Sequence, residues 1–172
     1  MSGQMKRSGL LAAAAAMLCV SMPANAAMGC WNTSQVAAAK VRDLQSRLMV
    51  ATLRCQAMGA DVSGAYNRFV RANRETIQGA NAVLLAQFRS GYGSQAQTHY
   101  DRFATALANV YGADATDHGI CADTAALAEE AAAANGDIRA LVAIEDRFGF
   151  SSSLPGGECT YTFASEGGSR GF

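Results

Sequence analysis

From Ala37 onward, apolar side chains recur at Ala37, Val41, Leu44, Leu48, Ala51, Cys55 and Met58. This 4-3-4-3-4-3 spacing lines one seam of an α-helix. Thr33 or Ser34 offers a capping hydroxyl at its start, and Gly59 stands where a C-terminal cap belongs. The spacing therefore predicts a first helix of about 25 residues. After Asp61-Val62-Ser63 a second stripe runs through Tyr66, Val70, Asn73, Ile77, Ala80 and Leu84, broadened by Phe69 and Phe88. It predicts one continuous second helix that ends near Ser90, before the breaker cluster Gly91-Tyr92-Gly93. Ser94-Gln95-Ala96-Gln97 reads as a capping box for a third helix, whose stripe is Ala96, Tyr100, Phe103, Leu107 and Val110, closing at Gly112.

Asp123 is placed to cap a fourth helix that carries Leu127, Ala131 and Ala134 and ends at Asn135-Gly136. Asp137 opens a short fifth helix with Ile138, Leu141, Ile144 and Phe148, stopped by Gly149. Helices four and five form a hairpin that covers the other three. Beyond Gly149 come Ser151-Ser152-Ser153, Pro155-Gly156-Gly157 and a final Gly167-Gly168-Ser169-Arg170-Gly171-Phe172. That is tail composition, and within it only Thr160 to Phe163 alternates like a strand. The expected fold is all-α: an antiparallel helical bundle of four to five helices with a Gly/Ser-rich C-terminal tail.

The beginning of the chain has a different pattern. Lys6 and Arg7 precede an apolar run from Gly9 to Val20, and Pro23-Ala24-Asn25-Ala26 supplies a small-x-small cleavage context. Residues 1–26 are thus expected to be a secretory signal peptide, followed by a bundle domain at 27–149 and a tail at 150–172. The apolar run is shorter than the roughly 20 residues a spanning helix needs, and no second run of that length follows. Cys19 is a poor lipid-anchor site because Leu18 precedes it where a small residue is wanted. The expected location is periplasmic or secreted, with no integral membrane segment after cleavage.

Cleavage removes Cys19 and leaves Cys30, Cys55, Cys121 and Cys159, an even set in an oxidising compartment. Cys30 and Cys55 stand at opposite ends of a rod about 37 Å long, whereas bridged Cα atoms sit about 5.5–6 Å apart. Antiparallel helices bring Cys121 beside Cys55, so Cys55–Cys121 is the expected bond. Cys30 then takes Cys159, which tethers the tail. The remaining 146 residues suffice to bury roughly 68% of their unfolded surface, so the disulfides brace a core and do not replace one.

The whole chain balances 14 Lys+Arg against 14 Asp+Glu, which excludes a strongly basic nucleic-acid binder. The balance hides an asymmetry: residues 27–100 carry +5 and residues 101–172 carry −7. Arg68, Arg71 and Arg74 repeat every three residues on the second helix, with Arg47 and Arg54 on the first expected to approach them. Two uses compete for these five arginines. Either the acidic hairpin neutralises them, or they form a contact surface for a protein, an anionic envelope component or a second copy.

Other chemistry is sparse. Asp114, Asp117 and His118 form a weak candidate metal or ligand site, since Asp114 and His118 are four apart. His99 lies near the opposite end of the third helix, roughly 25 Å away, too far to join them. No Cys-x-x-Cys, no Cys-x-x-Cys-His and no Gly-x-Ser-x-Gly is present, so no cofactor and no catalytic residue is assigned. Glu129-Glu130 and Glu145-Asp146 are adjacent pairs whose members point about 100° apart, and both read as solvated faces. Asn73, in the middle of a core stripe, either fixes the packing register or sits wet at its edge. The expected function is a non-enzymatic exported protein acting by interaction through the first two helices. The alternative is a small-ligand or metal carrier with Tyr66, Tyr100 and the 114–118 loop at its mouth. Hydrolysis by loop carboxylates comes third.

Overall fold

The computed structural model describes residues 28–113, 115, 117–150 and 153–160. The expected signal peptide, the strand at Thr160 to Phe163 beyond its first residue, and the end of the tail lie outside the described residues. Six α-helices follow in order: α1 Thr33–Ala57, α2 Ser63–Ala72, α3 Arg74–Tyr92, α4 Ala96–Gly112, α5 His118–Ala133 and α6 Ile138–Asp146. A single 3₁₀ turn, Gly93–Gln95, joins α3 to α4. Among the described residues no helix is long and apolar enough to cross a membrane.

The first helix has the expected length, but its cap is Asn32. Asn32 Oδ1 accepts from the Gln35 backbone N–H, and the Gln35 side chain accepts from the Asn32 N–H, a reciprocal capping box. Asn32 fills that role because it is the last residue in extended conformation. Thr33 and Ser34 are already inside the helix. At two further starts the expectation also shifts, whereas Asp137 caps α6 as expected. Ser94 falls within the 3₁₀ turn, and α4 begins without a side-chain cap. Asp117, not Asp123, caps α5 by accepting from the Ile120 N–H at 2.8 Å. Asp123 lies one turn inside that helix.

The predicted second helix is broken in two at Asn73, whose backbone (φ −113°, ψ 20°) leaves the helical region. Its side chain is fully buried and its hydrogen bonds explain the bend. The amide donates to the Phe69 and Ala131 carbonyls at 3.0 and 2.8 Å, and Oδ1 accepts from the Gly136 N–H at 2.7 Å. Thr76 grips the same turn through the Gly136 carbonyl. Gly136 has φ +89°, a conformation open to glycine without strain. One buried amide thus ties the α2–α3 junction to the end of α5 and the turn into α6. This is the register-fixing role, and the wet-edge alternative is excluded.

α1 is the central helix and packs against all five others. Buried Val41, Leu44, Leu48 and Cys55 belong to the predicted seam, but Ala38, Ala39, Asp43, Ser46 and Thr52 are buried as well. α3 returns beside α1, with Gln87 near the α1 start accepting from Gln35 at 2.8 Å. α4 rises again with Tyr111 near the α1 end, where its carbonyl meets Arg54. α5 descends beside α2, and α6 lies along α1. At the base, Trp31 is sealed against Phe88 and Phe103 at centroid distances of 5.8 and 6.3 Å, and its indole N–H donates to the Pro155 carbonyl.

Two disulfides close the structure, and they are the pairs selected by helix direction. Cys55 at the last turn of α1 joins Cys121 in α5, and Cys30 joins Cys159, with Cα separations of 5.6 and 4.9 Å. Between them, residues 153–159 are held along the base. The Trp31 N–H donates to the Gly157 carbonyl and the Cys159 N–H to the Trp31 carbonyl, a one-residue parallel bridge. Gly156 is required here, because a Cβ on it would stand 2.6 Å from the Met28 carbonyl oxygen.

Candidate functional site

A cavity of about 410 Å³ opens between α1, α4, α5 and the end of α6. Leu48 and Ala51 of α1, Ile120 and Leu127 of α5, and Phe148 after α6 give it apolar walls. Its polar lining is Arg47, Arg54, Asp123 and Thr124, together with Tyr111 from α4. Ile120 and Phe148 are 38% and 49% exposed, so the rim itself is apolar.

The arginines are held by what lies behind them. Arg54 donates to the Tyr111 carbonyl at 2.5 Å. The Arg47 guanidinium is sandwiched at 4.6 Å from the Tyr111 ring centroid and 4.8 Å from that of Phe148, a cation–π arrangement on two sides. One nitrogen of Arg47 donates to Glu145 Oε1 at 3.2 Å, and its Nε is buried with no hydrogen-bond partner among the described residues. Below them Tyr111 donates its hydroxyl to Asp43 Oδ1 at 2.6 Å, and Asp43 also shares a hydrogen bond with Glu145.

Glu145 and Asp43 are both fully buried. Burial pushes the Glu145 carboxyl up to about 8, and the Asp43 carboxyl adds to the rise, while Arg47 opposes it. At neutral pH Glu145 is therefore protonated. The consequence reaches the cavity: the acid that Arg47 touches offsets its charge less than an ordinary carboxylate would.

Arg47 and Arg54 come together at this cavity, whereas Arg68, Arg71 and Arg74 lie on α2 and α3, away from it. Arg68 forms an ion pair with Glu129 of α5. Arg71 and Arg74 are exposed beside the Asn135-Gly136 turn. Lys40 pairs with Asp146 at 2.5 Å, so three contacts join the basic first half to the acidic second half.

Of the loop site, Asp114 lies outside the described residues. Asp117 is spent as the α5 cap, and His118 is the first residue of that helix. Among the described residues no three His, Cys, Asp or Glu side chains gather as a metal would need. His99 stacks on Tyr92 at 3.6 Å, near the 3₁₀ turn. Tyr66 and Tyr100 do not line the cavity. They lie toward Arg42 on another face of α1, half-buried, with the Tyr100 hydroxyl donating to Asn81 at 2.8 Å. The loop was the better guide to the opening: Ala115 and Ile120 flank it.

Sequence reasoning missed Asp43, Tyr111 and Glu145. A signal existed for Glu145, because Leu141, Glu145 and Phe148 repeat the 4-3 spacing along α6 and just past its end, but the acidic doublet drew attention to its charge. Only Asp146 of that doublet is exposed.

No family model matches this chain, and no curated protein or solved structure matches it either.

Proposed function

We propose that this is an exported, non-catalytic protein that binds a small ligand in the cavity between α1, α4, α5 and α6. The observation that carries the reading is the convergence of two guanidiniums on an apolar hollow of about 410 Å³, within the size range of small-molecule sites. Export is supported by the two disulfides, which persist in oxidising compartments, and by the leader pattern of residues 1–26. Periplasmic or secreted location fits both. Non-catalytic action is favoured because Glu145, whose carboxyl is pushed up by burial, is fully buried and does not line the cavity.

Native mass spectrometry of the protein taken gently from its own compartment tests the reading. A discrete small-molecule adduct that disappears in Ala51→Trp, where the indole fills the hollow, is the expected result. Adduct-free protein that also binds no apolar probe at the cavity would overturn it.

A second reading, contact through the arginine face, is supported by Arg71 and Arg74, which are exposed and enter no ion pair among the described residues. Its partner would be a protein, an anionic envelope component or another copy. Salt-sensitive capture of envelope fractions that survives in Arg71→Ala/Arg74→Ala would remove this face from consideration.

A further inference from the structure

The side chains that line the cavity also define the class of molecule it takes. Resting on the ligand-binding reading, we propose that the occupant is an organic monoanion: an apolar body with one terminal carboxylate, received by Arg47 and Arg54.

Charge is the first argument. The lining carries two guanidiniums and one carboxylate, Asp123, so an anion of charge −1 balances it. The carboxyl that Arg47 touches, Glu145, is pushed toward its neutral form by burial, so it offsets the guanidinium less than an ordinary carboxylate would. Position is a second argument: the Arg47 guanidinium is held at the cavity wall by the Tyr111 and Phe148 rings and Arg54 by the Tyr111 carbonyl, so both cations are in place before a ligand arrives. The third is shape: Leu48, Leu127, Ile120 and Phe148 leave the rest of the hollow apolar, which rejects a multiply charged or sugar-like body.

The same geometry makes uptake depend on protons. The charged and titratable groups around Glu145 are Lys40, Asp43 and Arg47 on α1, Tyr111 on α4, its neighbour Asp146, and Arg147 with its partner Glu130 of α5. When Glu145 loses its proton, Arg47 acquires an internal counter-ion and has less to offer a ligand. Anion affinity should therefore fall as pH rises through about 8.

Calorimetric titration of the disulfide-intact protein with decanoate, decanol and decylamine at pH 7 tests the class. Decanoate is expected to bind at least ten-fold more tightly than either, with the preference over decanol lost in Arg54→Ala. It should weaken several-fold between pH 7 and pH 9, and that weakening should vanish in Glu145→Gln. If decanol binds equally well and Arg54→Ala changes nothing, the anion assignment fails while the cavity remains a binding site. If no probe binds, or Ala51→Trp binds all three as before, the ligand-binding reading itself falls. A folded far-ultraviolet signature and intact disulfides in each variant keep these outcomes separate from misfolding.

Discussion

Glu145 and Asn73 are both polar, both fully buried, and opposite in what they do to the fold. Asn73 satisfies every hydrogen bond it makes in a place where three elements meet, so Asn73→Ala removes three bonds at once. A loss of about 2–4 kcal/mol in urea unfolding is expected. Glu145 instead ties stability to pH. Its carboxyl titrates near 8 when folded and near the ordinary 4.5 when unfolded, so the folded state holds the extra proton. That contribution is complete below about pH 4.5, declines as pH rises, and is gone above about 8. Glu145→Gln keeps the neutral shape at every pH. Its urea midpoint should match the parent near pH 4 and exceed it at pH 9, and parallel curves would refute the assignment. Neither residue's role was fully legible beforehand. Asn73 stood out because it interrupted an apolar stripe, but its three acceptors and donors come from residues up to 63 positions away. Glu145 was read as a surface group because a carboxylate is ordinarily wet, and only tertiary contact makes a protonated one tolerable inside.

At the scale of elements, helix existence was written in the spacing of apolar positions, and helix ends were not. α1 shows why. A helix surrounded on all sides has no polar face, so a single heptad seam accounts for only part of what it buries. The break between α2 and α3 lies outside any local pattern as well, since the stripe continues through it while the axis bends to serve α5. Caps erred for a nearer reason: Asn32 and Asp117 each sit one or more residues ahead of the candidates chosen, and cap identity depends on which residue is still extended. Asp117→Ala should lower stability by about 1 kcal/mol, measured by urea unfolding. The disulfides followed directly from helix direction. Breaking Cys55–Cys121 as the double serine variant opens a link between residues 66 apart. Chain entropy puts the loss at about 4 kcal/mol, and fast amide exchange should appear first at the start of α5.

Over the whole molecule, the opposed charges of the two halves are answered in part within the fold: Lys40 and Arg68 each reach an acidic side chain of α6 or α5. These contacts are mostly exposed, so the urea midpoint should change little between low and high salt. What the halves leave over is local, a positively charged end of an apolar cavity braced by one disulfide and backed by a buried acid. The central claim is that this cavity, and no other part of the surface, receives an anionic ligand. An amide chemical-shift map of labelled protein titrated with decanoate tests it most directly. The expected result is a saturable set of shifts confined to the segments around Leu48, Ala51, Tyr111, Ile120, Leu127 and Phe148. Shifts centred on Arg68, Arg71 and Arg74, or none at all, would contradict it.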